Sequence, residues 1–92
     1  TAQPEADHPA TYDLAAVVQD ITTEKRLLFS GGSIENRLAP SLIVETRLPQ
    51  ALFARILSNV IDNAMTACVE RKHICITARK AERYVEISVK DT

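Results

Sequence analysis

The sequence predicts an α+β domain built as a two-layer sandwich, with two helices packed on one face of a mixed, mainly antiparallel sheet. Three observations carry this expectation. Leu52 to Cys68, LFARILSNVIDNAMTAC, repeats its apolar residues at the period of a long helix, and Leu14 to about Phe29 does the same for a second one. His73 to Arg79 and Val85 to Lys90 alternate apolar and polar residues, the period of strands buried on one face. Helices and strands that each have one apolar side cover one another in two layers.

Taken in order, residues 1 to 10, TAQPEADHPA, mix proline, alanine and charge without period and read as a linker ahead of a domain spanning residues 11 to 92. Thr11 to Asp13 has room for a short edge strand, and Asp13 is an N-cap for the first helix, whose Leu14, Val17, Val18, Ile21 and Leu28 recur at helical spacing with Glu24, Lys25 and Arg26 outside. Gly31 and Gly32 end it, as glycines past a helix terminus commonly do. Ile34 to Leu38 and Leu42 to Glu45 are short and rich in branched residues, separated by Ala39-Pro40-Ser41, and read as two strands or one broken one. Pro49 suits the first turn of the long helix, where its missing N–H removes nothing. That helix is expected to end near Glu70, with Arg71 and Lys72 placed either to complement its dipole or to meet a phosphate. Ile74, Ile76 and Ala78 then share one strand face and Val85, Ile87 and Val89 another, joined through Lys80 to Arg83 as an antiparallel hairpin.

Ninety-two residues, 46% hydrophobic and 25% charged, bound one small globular domain. The longest apolar runs fall well short of the ~20 residues of a membrane span. Eleven basic against twelve acidic residues leave a net charge of −1, with no electrostatic footprint for nucleic acid or an anionic membrane surface. Cys68 on the long helix and Cys75 in a strand lack the spacing of a zinc site or a disulfide framework, and both read as small buried hydrophobes in a reducing cytoplasm.

On a wheel of about 100° per residue, Leu52, Phe53, Ile56, Leu57, Val60, Ile61, Ala64, Ala67 and Cys68 fall within an arc roughly 180° wide, which predicts a core-facing helix. Arg55, Asp62 and Thr66 lie opposite, while Asn59 and Asn63 fall on the seam and are expected to be half-buried. An amide removed from water without a partner costs about 1–3 kcal/mol. Two amides one turn apart therefore either bond neighbouring backbone or face a ligand, and a carboxamide oxygen is a hard neutral donor of the kind Mg²⁺ accepts beside phosphate oxygens.

Ser58 to Cys68, SNVIDNAMTAC, resembles the N box of the sensor histidine kinases, whose ATP-binding domain belongs to the wider family of DNA gyrase, the heat-shock chaperone ATPase and the mismatch-repair ATPase. Val89-Lys90-Asp91-Thr92 resembles the opening of the G1 box, Asp-x-Gly-x-Gly, before its first glycine, and the likeness covers about residues 11 to 92. The resemblance implies the Bergerat ATP-binding fold, with ATP and Mg²⁺ as ligands. It implies that Asn63 ligates the Mg²⁺ bridging the phosphates and that Asn59 and Ala67 belong to the nucleotide-contacting surface. It also implies that Asp91, otherwise an ordinary strand-end turn former, accepts a hydrogen bond from the adenine amino group. The ATPases of the family resemble one another in carrying a glutamate one turn before the Mg²⁺ asparagine, as general base for water. Here that candidate catalytic position is Asn59, and an amide takes no proton at neutral pH. The implied reaction is phosphoryl transfer to a histidine on another domain of the same kinase, resting on positioning and on cations over the γ-phosphate, with a response regulator as the onward partner.

The sequence departs from the kinase pattern at Thr66, where many members carry a phosphate-reaching lysine, and at Pro49, where many carry aspartate. The G1 glycines, the lid and the second glycine-rich box do not occur in these residues. Asp7-His8-Pro9 does not resemble the family's phosphoacceptor motif. Two other readings stand beside this one: an anti-sigma-factor-like serine kinase, whose group carries a carboxylate where Asn59 stands, and a nucleotide-free module kept for dimerisation or docking. A cytoplasmic location is expected, with the membrane anchoring of the parent kinase left open. The strand Val85 to Lys90 is expected to be interior in a complete domain, so self-association through its edge is expected of this chain.

Overall fold

The computed structural model describes residues 9–67 and 72–91. β1 (Ala10–Asp13) leads straight into α1 (Leu14–Leu28). The junction is capped as expected: Asp13 is extended, at φ −86° and ψ 105°, and its carboxylate accepts from the Ala15 amide at 3.1 Å, satisfying one of the helix's orphan donors. Past the other end Gly31 takes φ +73°, and the Gly32 amide donates to Phe29 O at 3.1 Å. A Cβ on Gly32 would lie 2.4 Å from the Phe29 ring, so glycine is what lets that ring fold back into the core.

β2 (Ser33–Asn36) and β3 (Ile43–Thr46) follow as two separate strands. α2 (Gln50–Ala67) opens on a Phe53 amide to Pro49 O bond of 3.0 Å, so Pro49 is the residue just outside the first turn. β4 (His73–Lys80) and β5 (Val85–Asp91) form the expected hairpin, registered from Ile74 opposite Asp91 to Lys80 opposite Val85.

The strands divide between two sheets. β2, β4 and β5 make a mixed sheet in that order, with β2 parallel to β4 through the crossover that contains α2. β1 and β3 pair antiparallel as a separate ribbon, Tyr12 opposite Val44. The architecture is the expected α+β one, two helices packed with mixed, mainly antiparallel sheets.

The core lies between the helices and the three-stranded sheet: Val18, Phe29, Ile34, Leu57, Ile61, Ile74 and Ile76 are buried together. A second cluster, Tyr12, Leu14 and Val17, sits under the ribbon, and Ile21, Phe53 and Ile87 pack against both. Tyr12 Oη donates to Leu48 O at 3.0 Å, which satisfies the hydroxyl. Burial raises the phenol's pKa.

Three sequence expectations need correction. The buried face of α2 is centred on Ile61, and Leu52, Ile56 and Val60 are 42%, 46% and 42% exposed. The physical reason is position: α2 packs over β5, the outermost strand of its sheet among the described residues, so only the flank turned to the sheet and α1 is covered by them. On α1, Lys25 is buried while Leu28 is 66% exposed, the reverse of the expected pattern, because Lys25 faces α2 and Leu28 points past it. Cys75 is half-buried rather than buried, alternating away from the core residues Ile74 and Ile76. The expected helix end near Glu70, and Cys68, Arg71, His8 and Thr92, lie outside the described residues.

Candidate functional site

The site residues read from the sequence fall on the β5 side of the molecule. α2 lies in the crossover between the parallel strands β2 and β4, so it runs opposite to β4 and in the same direction as β5, which is antiparallel to β4. Asn63 and Ala67, in the last turns of α2, and Asp91, two residues beyond Val89, are thereby brought to the same end of the sandwich, with Asn59 one turn back.

All four are exposed. The asparagines are not half-buried on the seam as expected. They stand among the exposed Leu52, Ile56 and Val60, on the flank that β5 leaves uncovered. Neither amide is engaged by another side chain or by backbone among the described residues, so the reading in which they bond neighbouring backbone is not what the structure holds. Both side chains are exposed, and a carboxamide oxygen is a hard donor of the kind Mg²⁺ accepts beside phosphate oxygens. Among the described residues no group of three or more His, Cys, Asp or Glu side chains is arranged to hold a metal, so a cation here would take most of its ligands from its own phosphates and water. Asp91 lies opposite Ile74 at the end of β5 with its side chain exposed.

Asp62, between the two asparagines in sequence, turns toward α1. Lys25 Nζ donates to its Oδ1 at 2.7 Å, and Thr66 Oγ1 donates to its carbonyl at 3.0 Å. Lys72, expected at a helix end or a phosphate, reaches Ser30 O at 3.4 Å. Arg55 is exposed on α2.

The sequence reading passed over a polar network on the outer face of the three-stranded sheet. The parallel register sets Ser33 opposite His73 and Glu35 opposite Cys75. Ser33 Oγ and His73 Nδ1 share a hydrogen bond of 2.7 Å, His73 Nε2 stands 3.4 Å from Glu35 Oε1, and Arg37 Nε donates to Glu35 Oε2 at 2.7 Å. The Arg37 hydrogen bond, then the charges of Arg37 and His73, hold the Glu35 carboxyl below its ordinary value. The signal was present in the alternation of Ser33, Glu35 and Arg37 along one strand face. Only the parallel pairing shows that His73 completes it.

Open hollows flank the layers among the described residues. One, of about 420 Å³, lies between the β1–β3 ribbon and the hairpin turn, bordered by Tyr12, Val44, Leu48, Phe53 and Tyr84. Another, of about 450 Å³, is bordered by Phe29, Asp62, Met65, Thr66 and Lys72. Neither takes in Asn59, Asn63, Ala67 or Asp91. No helix among the described residues is long and apolar enough to cross a membrane. No protein-family model matches the chain, and no curated protein matches it.

Proposed function

We propose that this chain forms part of the ATP-binding domain of a two-component sensor histidine kinase, supplying the γ-phosphoryl of Mg-ATP to a histidine on another domain of the same kinase. The observation that carries the reading is the outer flank of α2: Asn59 and Asn63 stand there exposed and, among the described residues, unengaged, on the side of Asp91 at the end of β5. In this reading Asn63 holds the metal through its carboxamide oxygen, and Asn59 and Ala67 border the phosphates and the nucleotide. Asp91 accepts from the adenine amino group. Bound Mg²⁺ supplies charge neutralisation at the β- and γ-phosphates. With an amide at Asn59 the chain offers no general base for water at that position, which favours transfer to an imidazole over hydrolysis. The histidine domain and a response regulator are the partners this function requires.

The exposed Leu52, Ile56 and Val60 beside the asparagines also suit a nucleotide-free docking module. Autophosphorylation of the protein that carries this segment, followed with labelled ATP, separates the two. The wild type is expected to label and Asn63→Ala to lose labelling while keeping its fold, since ligand losses of this kind cost about 10–100-fold in metal affinity. Undiminished labelling of the variant overturns the assignment of Asn63. Absence of labelling and of Mg-ATP binding in the wild type favours the docking module.

A further inference from the structure

The polar network on the outer face of the three-stranded sheet has the order of groups that activates a serine. Gly31, at φ +73°, turns the chain two positions before β2, whose first residue is Ser33, and the parallel register sets Ser33 opposite His73, the first residue of β4. Ile34, Ile74 and Ile76 point into the core, so by alternation Ser33, Glu35 and His73 lie on the face turned away from the helices. Ser33 Oγ and His73 Nδ1 are 2.7 Å apart, and Glu35 Oε1 stands 3.4 Å from Nε2 of the same ring. These contacts are made between β2 and β4, and strands added beside β5 would leave them as they are.

The carboxylate decides which way the hydrogen bonds run. Glu35 is held by Arg37 through Oε2 and, as an anion, can only accept, so in the neutral imidazole the proton sits on Nε2, facing Oε1. Nδ1 is then the acceptor, and the 2.7 Å bond is donated by the Ser33 hydroxyl. A hydroxyl that donates to an imidazole whose other nitrogen is held by a carboxylate is the arrangement of an activated nucleophile. Ser33 is exposed, and so open to a substrate, while His73 and Glu35 are half-buried.

We propose that Ser33 is a nucleophile for small activated acyl esters, with His73 as its general base and Glu35 as the positioning residue that holds the ring. Oγ adds to the ester carbonyl carbon as its proton passes to Nδ1. The bond to the aryloxy leaving group then breaks, the leaving oxygen takes that proton, and Ser33 is left O-acylated. Water, deprotonated through the same nitrogen, releases the carboxylic acid and restores the hydroxyl. The substrate class follows from what the site supplies. The Ser33 amide, the donor that a nucleophilic serine commonly turns to the oxyanion, is given to Lys72 O at 2.7 Å, and neither hollow includes Ser33. An oxyanion donor is worth about 10²–10³ in rate, so amides, which need that help, are poor substrates and esters with good leaving groups remain. The reaction does not depend on the nucleotide reading, whose residues lie on α2 and at the end of β5.

Reaction of the full chain with a fluorophosphonate probe and with p-nitrophenyl acetate tests it. Peptide mapping of the labelled wild type is expected to place the phosphonyl group on Ser33, and the acetate is expected to give a stoichiometric burst of p-nitrophenolate. Ser33→Ala should lose both. His73→Gln should slow labelling about 100-fold, the low end of general-base assistance, and imidazole added to His73→Ala should restore part of the rate, which a merely structural loss would not allow. Glu35→Gln should slow labelling by less, with Glu35→Asp closer to the wild type. Labelling of His73→Gln as fast as the wild type overturns the proposal. The map of the wild type decides independently of how the variants fold: label absent from Ser33, or found only on Cys75 and lysines, overturns it.

Discussion

Lys25 and Asp62 clasp the two helices together: the ammonium on α1 reaches the carboxylate on α2 at 2.7 Å, with the lysine side chain 7% exposed and the aspartate 51%. The asymmetry decides what each partner is worth. The aspartate keeps half of its water, whereas the lysine depends on the aspartate for compensation of its charge. Because Asp62 directly precedes Asn63, the same contact sets the rotation at which α2 presents its outer flank.

Removing the partner that compensates the buried charge should therefore cost more than removing the buried charge itself. Asp62→Ala is expected to destabilise by about 1–3 kcal/mol, below the range for fully buried pairs because the aspartate is half solvated. Lys25→Met, which keeps the packing of the stem, should cost less. Urea unfolding of both variants checks the order, and equal losses would show that the pair acts only through packing.

Ile56 and Ile61 belong to one apolar arc in the sequence and to different environments in the fold. Ile61 is fully buried, so Ile61→Ala is expected to cost about 2–5 kcal/mol. Ile56 is 46% exposed, and Ile56→Ala should stay within about 0.5 kcal/mol in dilute, monomeric protein. Comparable losses at the two positions would contradict the placement of α2 over the outermost strand.

The bridge from Arg37 and His73 to Glu35 predicts a pH dependence of known sign. Glu35 has its pKa lowered in the fold from an ordinary value of 4.5, first by the Arg37 hydrogen bond. A depressed carboxylate contributes stability that is present above its unfolded value and is lost as pH falls through the folded one. The contribution of the Glu35 carboxylate, chiefly its bond to Arg37, is therefore expected to be present above about pH 4.5 and to be lost as pH falls through the lowered folded value. A carbon NMR titration of the Glu35 carboxyl should give a midpoint below 4.5 that moves back up in Arg37→Ala, and a midpoint unaffected by that substitution would remove the cause.

Local sequence determined the elements. Asp13 caps α1, Gly31 and Gly32 end it, the apolar period of Leu52 to Ala67 builds α2, and the alternation around Ile74 to Ala78 and Val85 to Val89 builds the hairpin, because each depends on residues within a turn or a strand of one another. The spacing of Asn59 and Asn63 was legible for the same reason. Tertiary structure decided what each face meets. A helical wheel cannot show that α2 lies over the outermost strand, so it placed Leu52, Ile56 and Val60 in the core and the asparagines on a seam, where the fold exposes all of them. It also cannot pair residues far apart in the chain: Lys25 with Asp62, His73 with Ser33 and Glu35, and the ribbon of β1 with β3 arise from register and layer order, which no local period encodes.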